Sequence, residues 1–268
     1  MVFKNIQVLV EHSQKMSSSI TSREILNILA RACMAMPPDQ LARASITGKR
    51  EGLFRDILLN ELAILFPHLL SRAEWNIPKT AVARWKESQF AGDKSKGIVD
   101  LVSVAKSKPL AEVPEIAIEF KLWYWFDALN EAKYAEPKKS NHSLISASFL
   151  ADVTKLTSVT QMGVSNQFIV TVVPTFLTDR IESDLQIEPI AQLKKIGFPY
   201  SGLRFVTSSN SAKDRSDALK KISDYFIEQG CPSISGGDIR GCYLGVNVIT
   251  DFVVSEIPRK SLLVDNRG

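Results

Sequence analysis

The run Ile116 to Leu122 carries a glutamate and a lysine two residues apart, Glu119 and Lys121, inside an otherwise apolar stretch. Side chains at i and i+2 of a strand share a face about 7 Å apart along the chain, so this pair projects together while Ile118, Phe120 and Leu122 point the other way. Upstream, Asp100 stands in the apolar, β-branched segment Ile98 to Val104, flanked on its own face by Ile98 and Val102. A carboxylate in a buried strand is costly unless it is paired or binds a metal. If the two segments pair, Asp100, Glu119 and Lys121 form one acidic pocket with a single ammonium beside it. Hard oxygen donors of this kind suit Mg2+, for which Mn2+ can substitute; the ion keeps several waters and is commonly completed by substrate phosphate. The chemistry expected is hydrolysis at phosphorus: the ion polarises a phosphoryl oxygen and acidifies a bound water, while Lys121 orients that water or steadies developing charge.

The triplet alone says little, because Glu-x-Lys recurs about once or twice in a chain of ordinary composition. Glu131-Ala132-Lys133 is such a recurrence here. What distinguishes Glu119 to Lys121 is its setting, a β-type apolar run that follows an acidic strand after a short turn and comes after a long amphipathic helix. That helix is read from Glu51 to Leu65, with Phe54, Ile57, Leu58, Leu62 and Leu65 at helical spacing and Pro67 beyond. Ahead of it, Thr21 and Glu24 form a capping box for a first helix through Ala32, stopped by Pro37 and Pro38. Residues 73–97 read as one strand and a basic loop. Ile98–Val104 and Ile116–Leu122 read as antiparallel neighbours. A helix over 151–159 follows, then a buried strand over 168–173, a strand over 203–207, a helix over 214–229 closed by Gly230, and strand character over 242–257 after a Gly236-Gly237 turn. The fold class is mixed α/β with a central sheet.

Composition bounds the rest. The chain has 268 residues, 45% hydrophobic, with 33 Lys and Arg against 29 Asp and Glu, a surplus of +4. One domain with a sizeable core is expected, which excludes a disordered or disulfide-stapled chain. The three cysteines are few, odd in number and widely spaced, as for reduced thiols in a cytoplasm, and the scattered histidines give no zinc spacing. No apolar run is long enough for a membrane helix, and the start lacks the pattern of a secretory signal. The modest positive charge permits a polyanionic partner without requiring one.

Taken together, Asp100, Glu119 and Lys121, after a helix that opens at Glu51, resemble the PD-(D/E)XK nuclease superfamily, whose restriction-endonuclease-like core runs helix, three strands, helix, strand. The likeness spans Glu51 to about Val173, with Val99 standing where the motif has its proline. It implies that Asp100 is the motif's aspartate, Glu119 its second acid and Lys121 its lysine. It also implies a glutamate from the first helix of the core as a metal ligand beside Asp100 and Glu119; of the two candidates, Glu51 and Glu61, Glu51 fits better because it opens the amphipathic run on the face of Phe54 and Leu58. Asp152, Lys155 and Leu156 look like the family's next helix, where a lysine faces the active site or the phosphates.

The organisation implied is a helical extension over 1–48, a catalytic core over 49–175 and an α/β completion over 176–268, together one nuclease domain. The partner implied is DNA, most naturally double-stranded. Lys86, Lys94 and Lys96 beside Arg84, together with Lys155, are candidate phosphate contacts. Trp123 to Phe126 are candidates for base stacking or for a subunit contact. Duplex cleavage suits a homodimer, with that aromatic run or the segment after Gly230 at the contact. The alternative is a catalytically inactive nuclease-fold protein that binds nucleic acid or a partner protein.

Overall fold

The structure, a computed structural model, describes residues 20–46, 51–77, 97–106, 114–123, 142–160, 162–178, 206–243 and 246–258. Helix α1 (Ser22–Met34) begins at the expected capping box: the Glu24 amide donates to Thr21 Oγ1 at 3.3 Å, and the Thr21 amide donates to Glu24 Oε2 at 2.7 Å. Pro37 and Pro38 do end it, but a second helix, α2 (Pro38–Ile46), starts on the same prolines. Proline breaks a helix interior, yet at the first helical position its missing N–H would have had no intrahelical partner. Helix α3 (Glu51–Leu65) follows.

Strands β1 (Leu69–Asn76), β2 (Ile98–Ala105) and β3 (Ile116–Leu122) come next. Then come helix α4 (His142–Thr160), β4 (Asn166–Thr178), the short β5 (Val206–Thr207), α5 (Ser208–Glu228), β6 (Ser233–Tyr243) and β7 (Val246–Glu256). β1 starts four residues earlier than the 73–97 reading, and 78–96 lie outside the described residues. From 51 to 178 the order is therefore helix, three strands, helix, strand.

All the strands among the described residues join one mixed sheet in the order β1-β2-β3-β4-β7-β6, with β5 pairing with β4. β2 is antiparallel to β1 and β3, as expected for the two acidic strands. β3 and β4 are parallel, the connection between them carrying α4, and β7 runs antiparallel to both β4 and β6. The segment after residue 205 thus completes the same sheet rather than forming a separate one.

Two apolar cores sandwich the sheet. On one face Phe54, Leu58 and Leu62 of α3 and Ile25 and Leu29 of α1 pack on Leu101, Ile118, Phe120, Phe168 and Phe252. On the other, Phe149, Val153, Leu156 and Val159 of α4 and Ala218, Ile222 and Phe226 of α5 pack on Val99, Val102, Ala117, Ile169 and Val173. The Phe149 and Phe226 rings stack at 4.0 Å between the two helices.

The Gly236-Gly237 pair is not a turn. It lies inside β6, where the register against β7 shifts between Gly236 and Ile239, a β-bulge. Gly237 is at φ 142°, and a Cβ there would sit 2.8 Å from both the Asp251 Cα and the Thr250 carbonyl oxygen, so only glycine fits. Among the described residues no helix is long and apolar enough to cross a membrane.

Candidate active site

The site forms where the β2 ladders loosen. Ala73 pairs with Leu101 and Trp75 with Val99, which leaves Glu74 and Asp100 between them, and Glu74 has φ 55°. Such a conformation is uncommon for a residue other than glycine and is retained where surroundings impose it. Here Arg55 of α3 holds the Glu74 carboxylate at 3.1 Å. The pairing of β2 with β3 is regular from Ser103 to Leu101, and beyond it the Asp100 carboxylate accepts the Phe120 amide at 2.8 Å. Strict alternation fails at this point: Val99 and Val102 both join the α4-side core, whereas Leu101 turns to the α3 side. Val102 lies on the α4 side, where the Asp100 charge also acts on Glu119, so the departure from alternation is at Val99, beside the distorted pair at 74 and 100.

Glu119 and Lys121 do share a face of β3, the one toward α4. Ala117 on that face belongs to the α4-side core, while Ile118 and Phe120 belong to the other. Helix α4 supplies the complement: Asp152, Lys155, Leu156 and Val159 recur at helical spacing and are all buried. Lys121 Nζ lies 2.8 Å from Asp152 Oδ2, Lys155 Nζ lies 2.7 Å from Glu119 Oε1 and 3.3 Å from Asp152 Oδ1, and Lys155 also donates to the Ile98 carbonyl at 3.1 Å. Glu119 Oε1 and Asp152 Oδ2 are buried and each faces an ammonium, and a carboxylate oxygen so held keeps further acceptor capacity. Thr171, the register partner of Lys121 on β4, is wholly buried with its hydroxyl unpaired.

Burial, with the Asp152 and Asp100 carboxylates nearby, raises the Glu119 pKa well above the ordinary glutamate range against the opposing pull of Lys155. Burial pulls the Lys155 ammonium down, but Glu119 and Asp152 outweigh it and leave it above the ordinary lysine value. Desolvating so many charges is unfavourable unless attraction between them compensates. A network this buried, beside the distorted stretch of β2, is the kind of arrangement that functional sites show.

The ammonium of Lys155, the candidate phosphate contact on α4, is enclosed by Glu119, Asp152 and the Ile98 carbonyl. Asp152, noted only as part of a helix, is the acid that joins both lysines. The signal was present in sequence: an Asp and a Lys three apart on the same stripe as Leu156 and Val159, where solvated charges do not belong. Glu51 opens α3, and its side chain, like Lys86, Lys94, Lys96 and the Tyr124–Phe126 run, lies outside the described residues. Glu61 is half-buried further along α3. Trp123 is buried against Phe226, ring centroids 5.6 Å apart, and is core rather than a platform for bases or a partner.

Among the described residues no three His, Cys, Asp or Glu side chains are grouped to hold an ion by themselves. Asp100 and Glu119 nonetheless present carboxylates from neighbouring strands, and Mg2+ is commonly bound through one or two carboxylates plus water and phosphate. Glu119 Oε1, a buried carboxylate oxygen already facing the Lys155 ammonium, is the kind of oxygen that holds such an ion, so the donor set fits. No family model, no curated protein and no solved structure matches the chain.

Proposed function

We infer that this chain is a Mg2+-dependent nuclease that hydrolyses phosphodiester bonds in DNA, built on a restriction-endonuclease-like core. The observation that carries the reading is the convergence of Asp100, Glu119 and Lys121 at the loosened junction of β2 and β3. The order helix, three strands, helix, strand over 51–178 supports it too.

Asp100 and Glu119 would hold the ion, with Glu51 as the further acid from α3. When bound, Mg2+ supplies charge stabilisation at the phosphoryl group and a more acidic water. Lys121 would steady charge developing on the phosphate, with Asp152 of α4 holding its ammonium. Asp100 also ties β2 to β3 through the Phe120 amide, so the two strands present their acids at a set separation. Lys86, Lys94 and Lys96 serve as phosphate contacts along the duplex, and a homodimer presents two such sites to antiparallel strands. A reduced, cytoplasmic setting suits a protein whose buried thiols, Cys33 and Cys231, are unpaired.

One observation favours a second reading, an inactive nuclease-fold protein that binds nucleic acid or a partner: both ammoniums of the site are already paired with carboxylates. Incubating the purified protein with supercoiled plasmid and with single-stranded DNA, with Mg2+ and with EDTA, separates the two. Cation-dependent cutting supports the nuclease, whereas binding without cutting at any cation concentration supports the second reading.

A further inference from the structure

The ammonium of Lys155 is surrounded as a bound cation would be, by Glu119 Oε1 at 2.7 Å, the Ile98 carbonyl at 3.1 Å and Asp152 Oδ1 at 3.3 Å. These three oxygens come from β3, β2 and α4, so the lysine fills the point where the three elements meet. We propose that Lys155 is the resident cation of the acidic pocket and is exchanged for the divalent ion, which frees its ammonium for a phosphate of the substrate. The proposal rests on the nuclease reading above and deepens it.

Crowding of cations motivates the exchange. A Mg2+ or Mn2+ ion bound about 2.1 Å from Glu119 Oε1 would share that oxygen with the Lys155 ammonium, which already lies 2.7 Å from it. Two cations on one buried oxygen repel strongly where little water screens them, so the ion and the ammonium exclude each other at this point. The geometry agrees: Glu119 is nearly fully buried, and its Oε1, the oxygen an ion would take, is the one closest to Lys155. Lys155 has a flexible four-carbon stem, so its ammonium can leave while the helix stays in place.

The test is amine acylation of the wild-type chain, read by peptide mass spectrometry, with EDTA and with Mn2+, alongside Mn2+ binding by electron paramagnetic resonance. Exchange predicts that Lys155 acylation rises at least about fivefold with Mn2+ while the exposed Lys220 is unchanged. It also predicts that Lys155→Gln gains more in Tm from Mn2+ than wild type does. Should that variant fail to fold, the labelling decides. Mn2+ binding with Lys155 still unreactive overturns the exchange, and if Mg2+-dependent cleavage persists, the nuclease reading survives that result. Lys155 exposure by Mn2+ without cleavage of any DNA supports the exchange and contradicts the nuclease. Absence of Mn2+ binding overturns both.

Discussion

Lys121 and Asp152 meet across the space between β3 and α4, the ammonium 2.8 Å from the carboxylate oxygen. The contact joins the strand that carries the candidate acid and lysine to the helix that crosses over to β4. It sets where the Lys121 charge sits, and Asp152 in turn touches Lys155, so one buried carboxylate positions two ammoniums.

Asp152→Asn should therefore keep the fold and lower cleavage about tenfold or more, the usual cost of removing a group that orients a metal or reactive residue. The loss should fall on kcat rather than KM, because the ammonium is displaced relative to the reacting phosphate. Plasmid-cleavage kinetics check it; unchanged kcat would remove Asp152 from the machinery.

The bulge in β6 is held by a second buried network. Arg215 of α5 grips Asp251 with Nε to Oδ2 at 2.8 Å and Nη2 to Oδ1 at 2.9 Å, and the Asp238 amide donates to Oδ1 at 2.8 Å. Arg215→Met should cost about 3 kcal/mol, because the buried Asp251 charge loses its partner. Gly237→Ala should cost more than about 1 kcal/mol for the steric reason given above, while Gly52→Ala in α3, which meets only the Arg55 side-chain tip at 3.5 Å, should be neutral or stabilising. Urea unfolding of the three variants gives the order directly.

Much of this was legible in the sequence. The β2 and β3 positions followed from short β-branched runs, and the antiparallel pairing of the two strands followed from the short connection between them. Helix α1 was announced by Thr21 and Glu24. Helix α2 was hidden because its first residue, Pro38, reads equally as a stop. The bulge was hidden because Gly236-Gly237 has the chemistry of a turn, and only the packing of Asp251 against Gly237 makes it a kink inside a strand. The distortion at Asp100 was hidden for a similar reason: it lies opposite Glu74 of β1, which is remote in sequence from the motif.

Burial pushes the Cys33 thiol up to about 12 and the Cys231 thiol up to about 11, whereas Cys242 is exposed. At pH 8 a disulfide reagent should label one thiol in the native chain and all three in urea. For a thiol with a raised folded pKa, stability is full below the unfolded value near 9 and is lost as pH rises through the folded value. Urea midpoints should therefore fall above about pH 9, and rapid labelling of two or three native thiols at pH 8 would contradict this packing.

Glu51→Gln should slow cleavage more than Glu61→Gln. Glu51 opens α3, whereas Glu61 lies further along the same helix. Equal rates, or a larger loss at Glu61, would reverse the assignment.

The central claim is tested most directly by the rate of supercoiled plasmid cutting in Mg2+ by wild type, Asp100→Ala, Glu119→Ala and Lys121→Ala, each shown to be folded by circular dichroism. Lys133→Ala in the unrelated Glu-x-Lys triplet serves as the control. Wild type and Lys133→Ala should cut at the same rate, and each of the other three should lose activity by orders of magnitude. Full cleavage by folded Lys121→Ala protein would contradict the assignment of the site.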